Sequence, residues 1–469
     1  ITALIMPVCL NAGKKADDNP RYTIDLNGPQ WHMMRDTAAS WENDRLYLPD
    51  EAADLSVLPV NPPTGGWTAL DPAKTLAVSV PGTVEEYLTK SKRPSPDDFR
   101  GVSWWFTTIK VPESMAGRKV TAHFESVRMR AEVYLDGKLV GYDIVGESPF
   151  DADLTDAVVP GKDQTLAVRV TSPGGNFHWQ DFTQMRWGEY PIPPSRSFSG
   201  LIGRVRVDVT DPVYIEDVYM QNQPEPRRVK AIVNVRNTAS KAVSRTLSYK
   251  VSSKDDPKGS TILASQRKVR LEPGDNEVVF DINYPEATLW SPATPELYRC
   301  DVTVADGKKA LDRDGRVFGF RWFTPDGIGK EAVVRLNGRR MMLRSAISWG
   351  YWPATGLYAT PEMARRQIAT AQSMGLNMLN FHRSIGSPVV LEQADSMGLL
   401  YYEEPGAFHS ADHNPFIRTI VNTKLQRMVK RDRSHPSLVI FNLINELGGA
   451  RAADKELMAK RRDDLVKAH

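Results

Sequence analysis

Hydrophobic and polar positions follow one period in the first two thirds of this chain and another after it. From residue 22 to about 210, apolar residues fall in short runs with a repeat of two, separated by turn residues. Val133, Leu135 and Leu139 flank Asp136-Gly137. An Asp-Gly pair between alternating apolar residues is the strongest short hairpin signal, because both turn positions need a positive φ. Leu166 to Val170 is a further strand, ended by Ser172-Pro173-Gly174-Gly175. No amphipathic helix of any length interrupts the series, which predicts a β-sandwich of jelly-roll type. Thr210-Asp211-Pro212 marks a boundary. Strands then recur to about residue 325, among them Lys230 to Val235, Thr246 to Val251 and Glu277 to Ile282. That length suits an immunoglobulin-like sandwich, without the Cys-Trp-Cys core of antibody domains.

After Phe323 the period lengthens. Asn337-Gly338 closes a hairpin that leads into a strand from Met341 to Ile347. Thr360-Pro361 starts a helix with Pro at its first position, and Ala364, Ile368 and Ala371 give it an apolar stripe. Asn377 to Phe381 is the second strand. Ser387-Pro388 opens a helix carrying Leu391 and Ala394 and stopping at Gly398, and Leu399 to Tyr402 is the third strand. Asn414-Pro415 begins a helix with Ile417, Val421, Leu425 and Met428, which ends in Arg431-Asp432-Arg433 and a Ser-His-Pro stop. Leu438 to Ile444, apolar but for Asn442, reads as a fourth strand buried on both faces. Four alternations of strand and helix predict a parallel β/α architecture. A complete eight-fold barrel takes about 250 residues, and the chain carries little over half of one.

The expected organisation is therefore a leader and linker over 1–20, a jelly-roll domain over 21–211, an immunoglobulin-like sandwich over 212–325 and the first half of a (β/α)8 barrel over 326–469. The fourth strand ends in Asn445-Glu446. A carboxylate at the C-terminal end of a barrel strand is where that fold places its chemistry. On spacing alone, capping of the next helix stays open as the alternative for Glu446.

Composition narrows the function classes. A chain of 469 residues with 41% apolar and 25% charged residues is a folded protein of two to four domains. A net charge of +3 leaves no electrostatic footprint for nucleic acid. Eleven Trp and fifteen Tyr offer flat faces suited to sugar rings. Two cysteines, Cys9 and Cys300, exclude a disulfide framework and a Cys-based zinc site. Residues 1–12, ITALIMPVCLNA, look like the tail of a secretory signal, so export is expected. A lipidated Cys9 is the other reading, though Met6-Pro7-Val8 matches a lipoprotein site poorly. The stretch is too short for a membrane span, which needs about 20 apolar residues. The chain does not begin with Met and ends in a charged helical pattern, so it reads as a fragment cut at both ends. No phosphate-binding loop, metal triad or nucleophile elbow is present, and no cofactor is implied. His409 and His413 precede Asn414-Pro415 in a loop and read as solvated rather than as metal ligands.

Particular segments resemble the family-2 glycoside hydrolases, which include β-galactosidases, β-glucuronidases and β-mannosidases. They are Val80-Pro81-Gly82, Trp104-Trp105-Phe106, the run Tyr134 to Gly141, Ser148-Pro149-Phe150 and Gly200 to Val205 in the first domain. Phe318-Gly319-Phe320-Arg321 and Leu336-Asn337-Gly338 resemble the family's passage into the barrel. The most specific match is Arg431 to Glu446, RDRSHPS followed by a strand and Asn-Glu.

The resemblance implies a retaining exo-glycosidase with Glu446 as general acid/base and Asn445 beside it on the sugar 2-hydroxyl. The nucleophile would be a second Glu on a later strand, beyond His469, so none is named. The implied partner is a carbohydrate. A carbohydrate-binding protein without turnover on the same scaffold is the alternative. Other strand ends point to the same rim: Trp349 and Trp352 after strand one, His382 and Arg383 after strand two, Glu403 and Glu404 closing strand three. Of the last two only one can point inward, because successive residues alternate faces. Asp181, with His178, Trp179 and Arg186-Trp187-Gly188, lies in a loop of the first domain expected at the barrel mouth. One departure stands out. Many relatives carry an Arg where this chain has Asn380, and the His is shifted by one, which puts the usual galactoside or glucuronide pocket in doubt.

Overall fold

The structure, a computed structural model, describes residues 20–88, 99–175, 185–193, 198–327, 329–352, 355–406, 414–445 and 452–468. Two antiparallel sheets, of six and four strands, build the first unit. Trp31, Trp105, Val133 and Val168 from the larger sheet pack against Ala122, Phe124, Val207 and Val209 from the smaller. The outer face of the larger sheet is covered too. Trp104, Phe106 and Tyr134 lie under Trp41, Trp67 and Leu70 of a long loop. Covered on both sides, Arg130–Leu135 is buried at every position. Asp136 (φ 47) and Gly137 (φ 83) turn it into Lys138–Asp143, the expected hairpin. Among the described residues, Val84–Leu88 is the one α-helix of this unit.

The second unit is a pair of sheets of three and four strands. Val213–Asn222, Arg228–Asn237 and Gly274–Asn283 make the first, and Leu263–Leu271, Val243–Ser253, Tyr298–Asp306 and Lys309–Phe318 the second. Val233, Leu247, Phe280 and Val302 lie in the core between them. Cys300 is a buried free thiol in that core.

Beyond it the expected strand from Met341 to Ile347 is broken in two. Arg339–Met341 pairs antiparallel with Val333–Leu336, whereas Ser345–Ser348 pairs in parallel with Met378–Phe381. Asn377 fixes the break. Its Nδ2 donates to the Met342 carbonyl (2.9 Å) and its Oδ1 accepts from the Arg344 N–H (2.8 Å).

Ser345–Ser348, Met378–Phe381, Leu400–Glu403 and Leu438–Phe441 form a four-stranded parallel sheet in sequence order. The connecting helices start where the sequence predicts. Thr360 caps Pro361–Ser373 by accepting from the Met363 N–H, and Asn414 caps Pro415–Asp432 by accepting from those of Phe416 and Ile417. Pro388–Met397 ends at Gly398 with φ 75, where an added Cβ would lie 2.3 Å from the Pro292 carbonyl oxygen. Leu379, Phe381 and Tyr401 face these helices, against Ile368, Leu391 and Ala394. At the strands' N-terminal ends Met378 and Leu400 meet Trp290, Leu297 and Leu336, so the second unit and the hairpin close the bottom.

The fourth strand departs from expectation. It spans only Leu438–Phe441, and Ile440 is 37% exposed rather than buried on both faces. Among the described residues its one strand partner is Leu400–Glu403, which leaves its other edge open there.

The RDRSHPS run is a docking device. Arg433 Nη2 donates to Asp217 Oδ2 (2.6 Å), and Ser434 Oγ accepts from the Met220 N–H (3.2 Å). Arg321 donates to the carbonyls of Pro436 and Leu438. The first unit holds the same sheet through Tyr358 to Glu86, Lys424 to Glu147, Arg427 to Asp143 and Arg204 to Glu392. No described helix is long and apolar enough to cross a membrane.

Candidate active site

Polar side chains collect at the C-terminal ends of the parallel strands, around Glu404. Glu404 Oε1 accepts from Asn380 Nδ2 and from Asn445 Nδ2, each at 3.2 Å, and Oε2 accepts from the Arg383 N–H at 2.8 Å. His382 Nδ1 lies 3.5 Å from Asn445 Nδ2 and 3.9 Å from Glu404 Oε1. Arg383 Nε donates to Asn445 Oδ1 at 3.2 Å, and its guanidinium stands 5.6 Å from the Trp349 ring centroid. Trp349 meets the His382 ring edge-on at 4.5 Å. Three strand ends thus share one hydrogen-bonded set, and a fourth supplies an aromatic wall. Asn380, His382, Glu404 and Asn445 are buried, whereas Trp349 is 37% exposed. A carboxylate held by three donors at the mouth of an apolar sheet is fixed in direction, which is what orienting a polyhydroxylated ligand requires.

Arg383 sits at φ 56. A residue with a Cβ is strained there by about 1–3 kcal/mol, and the bond from its N–H to Glu404 offsets that cost. Glu403 points to the other face, as alternation requires. Its Oε1 accepts from the Gly386 N–H at 2.6 Å, with Arg431 Nη2 at 3.4 Å. Burial, and then the neighbouring Asp432, push the Glu403 carboxyl well above the usual carboxylate range, against the pull of Arg431.

The structure brings together five residues singled out in the sequence: Trp349, His382, Arg383, Glu404 and Asn445. Glu446 follows Asn445 directly and lies outside the described residues, as do Asp181, His178, Trp179, His409 and His413. Two expectations are corrected. Trp352 is 6% exposed and packs in the helix-side core, with its N–H bonded to the Gly356 carbonyl. Trp187 is 1% exposed and presents no open face to a ligand. It is buried with Leu46, Met129 and Ile144 of its own unit, and its Nε1 donates to the Trp41 carbonyl.

Asn380 is the group that sequence reasoning missed. It is fully buried and donates to Glu404, and among the described residues its Oδ1 has no hydrogen-bond partner. The signal was an Asn in the apolar strand Met-Leu-Asn-Phe, noted only as the place of an absent Arg. Among the described residues no group of three His, Cys, Asp or Glu could hold a metal ion.

Residues 213–321 match the family described as glycosyl hydrolases family 2, and residues 38–188 match that family's sugar binding domain. The chain belongs to glycosyl hydrolase family 2. This family-2 chain is 28% identical over 358 residues to a β-galactosidase of Thermoanaerobacter pseudethanolicus, covering 75% of this chain and 45% of that protein. It is 25% identical over 356 residues to a putative β-glucuronidase of Formosa agariphila, covering 74% and 32%. The chain spans less than half the length of these curated relatives. Among solved structures, a family-2 member from Bacteroides cellulosilyticus superposes with a TM-score of 0.75 at 19% identity, over 95% of this chain and 56% of the other. A β-galacturonidase from Eisenbergiella tayi bound to galacturonate superposes at 0.72 and 19%, over 96% and 70%. At that identity the likeness is one of fold.

Proposed function

We propose that the full-length protein is an exported, retaining exo-glycosidase that removes terminal β-linked sugars, of galactoside or glucuronide type, from oligo- or polysaccharides. The observation that carries this reading is Asn445, bonded to Glu404 and Arg383 at the end of the fourth parallel strand and followed directly by Glu446. The relatives named β-galactosidase and β-glucuronidase support the reaction class, and none of these names favours the alternative of binding without turnover.

In this reading the parallel sheet over 326–469 is the first half of a (β/α)8 barrel. It carries in front of it an immunoglobulin-like sandwich over 212–325 and a jelly-roll domain over 21–211. Residues 1–20 are the remnant of an export leader and a linker. Glu446 protonates the leaving oxygen and later activates water. A second carboxylate about 5–5.5 Å away attacks the anomeric carbon, and it comes from a later strand outside this chain. Asn445, oriented by Glu404 and Arg383, takes the 2-hydroxyl. His382, Arg383, Glu404 and Asp181 surround the sugar, and the exposed face of Trp349 stacks on it.

The test is incubation of the full-length protein with nitrophenyl β-galactoside, β-glucuronide and β-mannoside, with the first-formed anomer read by NMR. Release of a β-anomer supports the reading. Release of the α-anomer sinks retention, and saturable sugar binding without any release moves the protein to the alternative.

A further inference from the structure

We propose that Glu403 is a positioning residue for this rim, fixing from behind the sheet the turn from His382 to Gly386 whose front end Glu404 holds. The inference rests on the rim being the sugar site. Glu403 and Glu404 leave the third parallel strand back to back, since successive residues face opposite sides. Glu404 takes the Arg383 N–H at 2.8 Å. Three residues on, the Gly386 N–H donates to Glu403 Oε1 at 2.6 Å, and the Gly386 carbonyl accepts from Arg431 Nη2 at 2.6 Å. Arg431 is itself anchored on Asp432, through Nε at 2.9 Å and Nη2 at 2.6 Å to Oδ2.

Both ends of the turn are thus tied to neighbouring carboxylates, and Arg383 is held between them in its left-handed conformation. The turn has little room to move elsewhere. A Cβ at Gly386 would fall 2.2 Å from the Phe381 ring, and the Glu403 and Asp432 side chains are fully buried. Among the described residues Glu403 Oε2 finds no donor. The raised affinity of this carboxyl for a proton, from burial and Asp432, gives that oxygen a use as a donor toward Asp432.

Glu403→Gln keeps an acceptor for the Gly386 N–H and a donor for Asp432, whereas Glu403→Ala removes both. Kinetics of the full-length protein on an aryl β-glycoside, per titrated active site, separate the cases. Glu403→Gln is expected within about threefold of wild type. Glu403→Ala is expected to lose about 10²-fold in kcat/KM, the scale of a misplaced positioning group, with KM raised as well as kcat lowered. If Glu403→Ala does not fold, Glu403→Met fills the same space without an acceptor and carries the same expectation. A residue that only stabilised the fold would lower Tm and leave KM unchanged, and that result overturns the proposal, as does an equal loss in Glu403→Gln. Should the wild type turn over no glycoside, the functional reading fails, and the positioning claim is then decided by crystallography. Arg383 leaving φ near 56 and losing its bond to Asn445 in Glu403→Ala supports it, and an unchanged turn overturns it.

Discussion

The second sandwich and the parallel sheet bury their side chains by different rules. In the sandwich strand Arg228–Asn237, Val229, Ala231, Val233 and Val235 are buried and the positions between them are half-exposed. That is the period-two pattern of a sheet with one wet face. In the parallel sheet Met378–Phe381 is buried at all four positions. Yet Ile347, Asn380, Tyr402 and Ile440 share one row across the strands. Its apolar ends are exposed, Ile347 by 53% and Ile440 by 37%, while the Asn at its centre is fully buried. A self-sufficient core does the reverse, since exposing Ile and burying an unsatisfied amide both cost free energy. The sandwich is complete in what it buries. On the proposed reading, the inner face of the parallel sheet meets a ligand at its rim and further strands at its edges.

The largest test of that contrast is chemical. If the rim is a glycosidase site, Glu446→Gln in the full-length protein keeps the side-chain shape and removes the proton. Substrates with poor leaving groups are expected to lose about 10²–10⁴-fold in rate, the usual worth of general acid catalysis. An aryl glycoside with an acidic phenol needs little protonation, so its first step survives and the glycosyl-enzyme accumulates. Added azide then restores turnover by attacking without base help. Equal loss on both substrate classes, with no azide rescue, would remove Glu446 from the role.

The same contrast can be weighed as stability. Ile282 lies in the sandwich core at 1% exposure, so Ile282→Ala is expected to cost about 2–5 kcal/mol in any form of the protein. Ile440→Ala in this 469-residue chain is expected to cost within about 0.5 kcal/mol, as for other exposed positions. In the full-length protein its cost rises toward that of Ile282→Ala if further strands cover the row. Denaturant melts of both variants in both forms check this. An Ile440→Ala cost that stays small in the full-length protein breaks the idea that the sheet's edges are covered.

Much of this was legible in the sequence. The two positive-φ hairpins, Asp136-Gly137 and Asn337-Gly338, and the helix starts at Thr360-Pro361 and Asn414-Pro415 follow from local chemistry that tertiary structure does not override. Alternation also told that Glu403 and Glu404 part company, but not which one faces the rim. That depends on whether Gly386 or Arg383 lies nearer, a long-range fact. The break at Met342 to Arg344 was hidden because the apolar run Met341-Met342-Leu343 crosses it without a turn residue, and a side chain 33 residues from Arg344, that of Asn377, makes the cut. The exposure of Ile440 was hidden for a similar reason. A run of apolar residues reports a preference for burial, and the neighbours decide whether it is met. Asn380 was missed because the sequence shows it only as the place of an absent Arg, and its bond to Glu404, 24 residues on, is a long-range fact.

The smallest expected effect concerns pH. His435 Nδ1 lies 2.5 Å from Asp395 Oδ2, and the Ser437 N–H donates to Asp395 Oδ1 at 2.9 Å, so this pair ties the entry of the fourth strand to the helix Pro388–Met397. Burial alone would lower the imidazole's affinity for a proton, but Asp395, by charge and hydrogen bond, outweighs it and the net shift is upward. A histidine that binds its proton more tightly when folded stabilises the fold fully below its unfolded value, about 6.5, and that contribution fades as pH rises through the raised folded value. The gap in Tm between wild type and His435→Gln should therefore be widest at pH 5–6 and shrink above about 6.5. The second sandwich has no histidine between 213 and 318, so Ile282→Ala, measured beside it, should keep a gap insensitive to pH across the same window. A His435→Gln gap that widens with pH would mean that the imidazole stays neutral in the fold, and a flat gap that it binds its proton equally well folded and unfolded; either result removes the charged pair with Asp395 from the stability of this link.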